Sequence, residues 1–180
     1  MLRRSRKRRV VSIPRNKWQV TNITIQQHIG NEALQDPHGH QDFIIVPSVA
    51  TYGVRKVKNF KIECLNQSCT YTPQGGAPTP SYAGLLLVLV YIPEGTHPSS
   101  LHWSSAGSID ELYKPEQNVI ATALVPTQFN KSITFTSLAR NLNAGDAIYL
   151  NVLTNDFLRD GVTSITADFT LTVSYAISFN

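Results

Sequence analysis

The sequence has too little of several things on which other classes of protein depend. Two cysteines in 180 residues exclude a framework of disulfides, and 42% hydrophobic residues exclude a chain that is disordered throughout. The longest apolar run, Leu85–Ile92, is too short for a membrane-spanning helix. No apolar stretch of the length of a secretory signal follows the basic start, so we expect a soluble protein, intracellular when it is made, with no membrane partner.

Recognisable motifs of catalysis are missing as well. The chain has no phosphate-binding P-loop, no nucleophile elbow and no zinc-protease helix motif. His97 and His102 flank Ser99 and Ser100, but closeness along the chain does not make a catalytic triad. We therefore expect neither an enzyme nor a bound cofactor.

The two cysteines do not have the spacing of a zinc site. Cys64 and Cys69 are five positions apart, with no second cysteine pair and no histidine nearby. We expect both to stay reduced, Cys64 as a small buried hydrophobe and Cys69 as a thiol in a loop.

What the sequence does have is a marked division of charge. Residues 1–17 hold eight basic residues and no acidic one, whereas residues 18–180 hold eight basic and twelve acidic residues. A block of like charge repels itself and buries nothing, so residues 1–16 are predicted as a disordered arm and residues 17–180 as one folded domain. The basic residues of this start are Arg3, Arg4, Arg6, Lys7, Arg8, Arg9, Arg15 and Lys17.

Such an arm predicts a polyanionic partner. Clustered Arg and Lys bind nucleic acid through its phosphates by releasing counterions, with little sequence preference. Part of the same block, Arg-Ser-Arg-Lys-Arg-Arg at 4–9, also satisfies a nuclear localisation pattern, and the two roles can share residues.

A second basic group lies on a predicted strand. Alternation places Lys56 and Lys58 on one side of the strand and Arg55 and Lys61 on the other, so no single basic face is expected. The group is interpreted either as a surface that continues the path of the arm along nucleic acid or as ordinary solvated charge that discourages stray strand pairing.

The body of the chain alternates apolar and polar residues with period two, and helical periodicity is nearly absent. In 85–92 the residues of both faces are apolar, so both must be covered, by a loop in the favoured interpretation or otherwise by another subunit. The eight predicted strands are 18–27, 43–47, 54–65, 85–92, 119–125, 132–138, 146–154 and 164–179.

The connections between these strands set the predicted topology. Residues 139–145 indicate a hairpin that places 132–138 beside 146–154. The links 28–42, 66–84 and 93–118 are long enough to cross between sheets or to carry function. Eight strands with long crossovers predict an all-β fold, an eight-stranded antiparallel jelly-roll sandwich.

One loop contains four possible metal ligands at alternate positions. They are Asp36, His38, His40 and Asp42, and an extended chain would direct all four to one side. Loops are rich in these residue types, so a merely polar loop is the favoured interpretation, with a divalent ion site or a pH switch as the alternative.

Three further segments carry a resemblance to a known family. They are Val-Arg-Lys-Val-Lys at 54–58, Val-Tyr-Ile-Pro-Glu-Gly-Thr at 90–96 and Leu-Tyr-Lys-Pro-Glu-Gln-Asn-Val-Ile at 112–120. Together with the Arg-rich start, they resemble capsid proteins of small circular single-stranded DNA viruses, the circovirus-like viruses that encode a Rep protein. The resemblance follows most of the chain in order, and the stretches Pro-Glu-Gly-Thr and Tyr-Lys-Pro-Glu-Gln-Asn are its specific part.

The resemblance implies a homo-oligomer, a closed icosahedral shell of about sixty copies. The arms would lie inside on a single-stranded DNA genome, and the loops 66–84 and 93–118 would lie outside. Host nuclear import receptors and a cell-surface receptor would be further partners, with the protein in the virion and, during assembly, in the host nucleus. The candidate anchors of contacts between subunits are Tyr82, Trp103 and Tyr113. The alternative, equally favoured, is that each of them packs under its own loop.

Two other functions fit parts of the sequence. A basic arm on a jelly roll also describes the coat protein of a small satellite RNA virus. A lectin-like binding module with a nuclear-localising tail is the non-viral alternative, although such a module gains nothing from eight cations in seventeen residues.

Overall fold

The computed structural model describes residues 18–32, 40–50, 53–73, 75–80, 85–96, 118–125, 131–137, 139–154 and 162–179, which form strands, turns and short connections. Within these ranges there is no helix, and hence none long and apolar enough to cross a membrane. The strands are β1 (Gln19–Glu32), β2 (His40–Val46), β3 (Arg55–Pro73), β4 (Thr79–Pro80), β5 (Leu85–Ile92), β6 (Val119–Val125), β7 (Lys131–Thr136), β8 (Arg140–Leu142), β9 (Ala147–Thr154) and β10 (Val162–Phe179).

The strands form two antiparallel sheets. Sheet A has the order β1-β10-β3-β4, with β7 and β8 also paired to β3, and sheet B has the order β2-β9-β5-β6. Apart from the short β4 and β8, the pairs are nested from the middle of the chain outwards: β5 with β6, β3 with β7, β2 with β9 and β1 with β10. Successive pairs alternate between the sheets, which is the arrangement of a jelly roll. The predicted fold class is confirmed.

Several strand ends differ from the prediction. β5 and β6 have the predicted bounds, whereas β1 continues to Glu32 and β3 to Pro73, into stretches expected to be loops. The reason is β10, whose 18 residues offer a ladder to both neighbours over nearly their whole length. Polar side chains in these stretches lie on a sheet rather than in a loop. Cys69 is accordingly in β3, opposite Ala167, and its placement in a loop is wrong.

The predicted hairpin between 132–138 and 146–154 is also wrong. β7 pairs with β3 in sheet A, and β9 lies between β2 and β5 in sheet B. The turn at Gly145 instead closes the end of β8, because Asp146 N donates to Asn143 O and Gly145 N donates to Val49 O. Gly145 has a φ of 79°, and a Cβ there would meet the Glu94 side chain, so the turn requires glycine.

One core fills the space between the sheets. It contains residues of both inner faces, among them Leu87 and Leu89 of β5 and Leu171 and Val173 of β10. The core also contains aromatic contacts. Phe60 stacks on Tyr175 with ring centroids 5.5 Å apart.

Cys64 belongs to this core, as predicted for a small hydrophobe. Burial raises the pKa of its thiol to about 11, so the group stays protonated at neutral pH.

A second, smaller apolar cluster lies on the outer face of sheet B. Val88, Val90, Ile92 and Ala147 are at most 6% exposed, and Leu86, Val119 and Tyr149 pack against them. The prediction that both faces of β5 are covered is therefore confirmed. The burial of β5 is reached within one chain, while Ile44 and Leu124 at the edges of the same face stay about half exposed.

Candidate nucleic-acid interface

An irregularity in β3 decides which way its basic residues point. Lys58 lies opposite Ala176 and Lys61 opposite Ser174, so β3 advances three residues where β10 advances two. Asn59, at the bulge, has a φ of 57°. A bulge of this kind shifts the alternation by one residue, and the buried positions change from Val57 to Phe60 and Ile62.

Because of this shift, Lys61 lies on the same outward face as Lys56 and Lys58. The expectation that it points the other way, and that no single basic face forms, is wrong. We call Lys56, Lys58 and Lys61 the lysine patch, which lies on the outer face of sheet A.

Arg55 does not belong to the patch. It is 4% exposed, and its Nη1 and Nη2 donate to Pro47 O at 2.6 Å and to Asp146 O at 2.8 Å. Burial lowers the pKa of Arg55, while the Asp146 carboxylate acts in the opposite direction. The guanidinium therefore joins the β2–β3 connection to the turn before β9. Its assignment to nucleic acid is wrong because the side chain faces the interior.

Trp18 connects the lysine patch to the arm. The Lys58 ammonium lies 4.1 Å from the centroid of the Trp18 ring, within the range of a cation–π contact. Trp18 directly follows Lys17, the last basic residue of the start, so the positive charge of the arm continues onto the folded domain. Sequence reasoning missed Trp18, although an aromatic residue at the end of a basic block was a usable signal.

The lysine patch is not wholly free of acidic partners. Lys61 Nζ lies 2.6 Å from Glu63 Oε1, and both side chains are nearly half exposed. Such an exposed pair is weak and can open when a phosphate competes for the ammonium. Lys56 and Lys58 have no carboxylate contact among the described residues.

Further along β10 the outer face of sheet A is polar. The hydroxyls of Thr70 and Thr166 lie 2.6 Å apart. His28 Nδ1 lies 2.7 Å from Asp168 Oδ1, and Ser68 Oγ donates to Asp168 Oδ2 at 3.3 Å. Here the carboxylate lies between the hydroxyl and the imidazole, whereas a nucleophilic triad needs the imidazole in the middle. The face is hydrophilic and shows no triad.

The loop with four possible metal ligands is described only in part. Asp36 and His38 lie outside the described residues, and His40 begins β2. Asp42 already accepts a hydrogen bond from Asn151 Nδ2. The described ranges contain no group of three side chains that could hold a metal ion.

Other predicted site residues also lie outside the described residues. They are the basic residues Arg3, Arg4, Arg6, Lys7, Arg8, Arg9, Arg15 and Lys17 of the start, and the candidate anchors Tyr82, Trp103 and Tyr113.

No protein-family model matches the sequence, and no curated protein sequence matches it. The structure is similar to the capsid structure of Penaeus monodon metallodensovirus at pH 8.2, with 12% identity and a TM-score of 0.40 over 91% of this chain and 73% of that chain. The capsid of that virus following EDTA treatment gives 11% identity and a TM-score of 0.39, over 91% and 75% of the two chains. The structure of desmodium yellow mottle tymovirus gives 10% identity and a TM-score of 0.28, over 98% and 96%. At these values the similarities carry no argument about function.

Proposed function

We propose that the chain is a viral capsid protein whose jelly roll self-assembles into a small icosahedral shell and whose basic arm packages circular single-stranded DNA. The observation that carries the proposal is the continuity of positive charge. Eight basic residues end beside Trp18, and Trp18 contacts the lysine patch on the polar face of sheet A. A polyanion that follows the arm therefore meets further cations when it reaches the folded domain.

The amount of charge fits a packaging role. With eight basic residues in residues 1–17 of each copy, about sixty copies bring about 480 positive charges, which offsets a large share of the phosphates of a short genome. Residues 18–180 carry four more acidic than basic residues, so the domain as a whole competes little for that nucleic acid. The preference for DNA over RNA rests on the sequence resemblance to circovirus-like capsid proteins.

The same proposal assigns roles to residues at the surface. The basic start would also serve as the nuclear localisation signal, and Tyr82, Trp103 and Tyr113 would anchor contacts between subunits. A shell of identical copies needs such self-complementary surfaces because each interface repeats by symmetry.

The test replaces the arm residues while leaving the folded domain unchanged. In one variant all eight basic residues become Gln, and in the matched control the six arginines become Lys, which keeps the charge. Sedimentation velocity at 260 and 280 nm reports particle size and nucleic-acid content together. We expect the Gln variant to form particles without nucleic acid, or no particles, and the Lys control to package normally.

Two results would contradict the proposal. Full packaging by the Gln variant would show that the arm does not hold the genome. A wild-type protein that sediments as one to three subunits without nucleic acid at low salt, where the arm binds most strongly, would favour the binding module with a nuclear-localising tail.

A further inference from the structure

At the end of sheet A next to the arm, small side chains of β10 lie between larger ones of β1 and β3 on the outer face, and we call this row of small residues the trough. β10 runs along the middle and contributes Ala176 and Ser178, which are small. On one side Ala176 pairs with Val20 of β1, and on the other side with Lys58 of β3. Trp18 precedes Gln19, the partner of Ile177, so the indole stands beside Ser178 at the end of the trough.

The Lys58 side chain spans this trough. Its backbone is in β3, yet its ammonium lies over the Trp18 ring on the far side of β10. Ala176 is only 7% exposed and Ser178 only 1%, although both belong to an outward-facing row of β10. Lysine stems cover apolar surface in this way while the charged end stays in contact with water.

The covered hydroxyl is left without a partner. Ser178 Oγ is buried and makes no hydrogen bond. Buried polar atoms in proteins are nearly always paired, and an exception calls for an explanation such as a ligand that completes the site. The trough therefore combines an aromatic ring, a cation and an unused hydrogen-bonding group.

We propose that the Trp18–Lys58 pair is the closed form of a nucleotide site for single-stranded nucleic acid. An unpaired base replaces the ammonium on the Trp18 ring, and Lys58 turns to the adjoining phosphate. Ser178 Oγ, which lies in the same row as Ala176 and opposite Lys56, then hydrogen-bonds to the nucleotide. The inference rests on the proposed function and adds a base-binding site to the electrostatic contacts of the arm.

The chemistry of the site selects single strands but not a sequence. The faces of the bases in a duplex are stacked on one another, whereas every unpaired base has a free face that can stack on an indole. Val20 next to the ring is 73% exposed and offers apolar surface to a neighbouring base or sugar. Nothing in the trough distinguishes deoxyribose from ribose, so oligonucleotides of both kinds are expected to bind.

The test separates stacking from charge through the dependence of binding on salt. The full-length protein is titrated with a dT oligonucleotide of about twelve nucleotides and with a duplex of the same length, at several salt concentrations. Trp18→Leu should weaken single-strand binding about tenfold without changing the salt slope, and leave duplex binding unchanged. Lys58→Gln should weaken binding and lower the slope by about 0.7, the value for one phosphate contact on a single strand.

Two controls guard against a general effect of substitution. Trp18→Phe keeps an aromatic face and should retain most of the affinity. Tyr149→Leu removes an aromatic residue from the outer face of sheet B and should leave binding unchanged. The tryptophan fluorescence that Trp18→Phe loses reports on Trp18, and in the wild-type protein it should be quenched by the dT oligonucleotide and not by the duplex.

The outcomes distinguish this inference from the proposed function. If the wild-type protein binds no nucleic acid, the proposed function fails. If it binds and packages normally while Trp18→Leu has wild-type affinity and Trp18 fluorescence does not respond, the arm alone makes the contact and the nucleotide site is disproved. Equal weakening of single-strand and duplex binding by Trp18→Leu would also disprove it.

Discussion

The outer faces of the two sheets differ sharply although both belong to one sandwich. On sheet A the outward residues include lysines, hydroxyl side chains and the His28–Asp168 pair, in which both side chains are 61% exposed. On sheet B the outward residues Val88 and Val90 are completely buried. Water or a polyanion can cover the first face, whereas the middle of the second, on β5 and β9, is covered by apolar contacts and edge residues such as Ile44 and Leu124 stay half exposed.

The difference shows how one sandwich can use one sheet for stability and the outer face of the other for binding. A face that binds nucleic acid must keep its cations solvated until the phosphates arrive, so it contributes little to stability. A face that is buried contributes to the core and cannot bind a polyanion. The middle strands of sheet B therefore stabilise the domain on both of their sides, and sheet A leaves one side for binding.

The two faces should differ most in stability when the same charge is placed on each of them. Val88→Lys should lower the free energy of unfolding by at least about 3 kcal/mol, because a buried unpaired ammonium is costly. Thr24→Lys, on the exposed face of sheet A, should change it by less than about 0.5 kcal/mol. Urea unfolding measures the stability of both variants. Similar midpoints would mean that the outer face of sheet B is exposed to solvent at Val88.

A comparison within β3 sharpens the separation of stability from binding. Arg55→Met removes two charged hydrogen bonds to Pro47 O and Asp146 O and should cost about 2–3 kcal/mol. Its affinity for single-stranded nucleic acid should stay at the wild-type value at low salt. Lys56→Met should do the reverse, with stability within about 0.5 kcal/mol and a smaller salt slope. If a folded Arg55→Met protein lost affinity for single-stranded nucleic acid, Arg55 would have to be counted among the residues that bind it.

The smallest effects concern one polar pair on each outer face. Asn151 is 1% exposed and donates to Asp42 on sheet B, so Asn151→Ala should cost about 1–2 kcal/mol. Asp168→Ala opens the exposed pair with His28 and should cost less than about 1 kcal/mol. Thermal unfolding of the two variants decides the order, and a larger loss for Asp168→Ala would reverse the contrast between the faces.

Much of the fold could be predicted because its signals are local. The apolar run of β5 has both faces buried, and the alternation in β10 places Phe169, Leu171 and Val173 in the core as expected. The limits of that pattern appear at Phe179, which continues the apolar alternation yet is 63% exposed at the end of the strand. Alternation indicates a face but not how far the opposite sheet extends.

The errors arise from contacts between distant parts of the chain. The sequence around Asn59 contains no signal that predicts the bulge, and it is the bulge that places Lys61 on the same face as Lys56 and Lys58. Arg55 resembles its lysine neighbours in sequence, and only the carbonyls of Pro47 and Asp146 explain why it points inward. The sequence thus predicted a group of basic residues. Which of them share one face, and that Trp18 contacts one of them, is decided by the pairing of the strands in sheet A.

The central position of β10 in sheet A has a consequence for the order of events during synthesis. β1 and the basic start are translated early, but β10, the last described strand, must emerge before it can pair with β1 and β3. Pairing between such distant segments is slow because a long loop has to close first. β3 can pair with β4, β7 and β8 before that, but the part of the outer face that joins β1 to β3 forms only after the ribosome has completed β10. A complete nucleic-acid interface therefore requires that β10 has been synthesised and has paired with both β1 and β3.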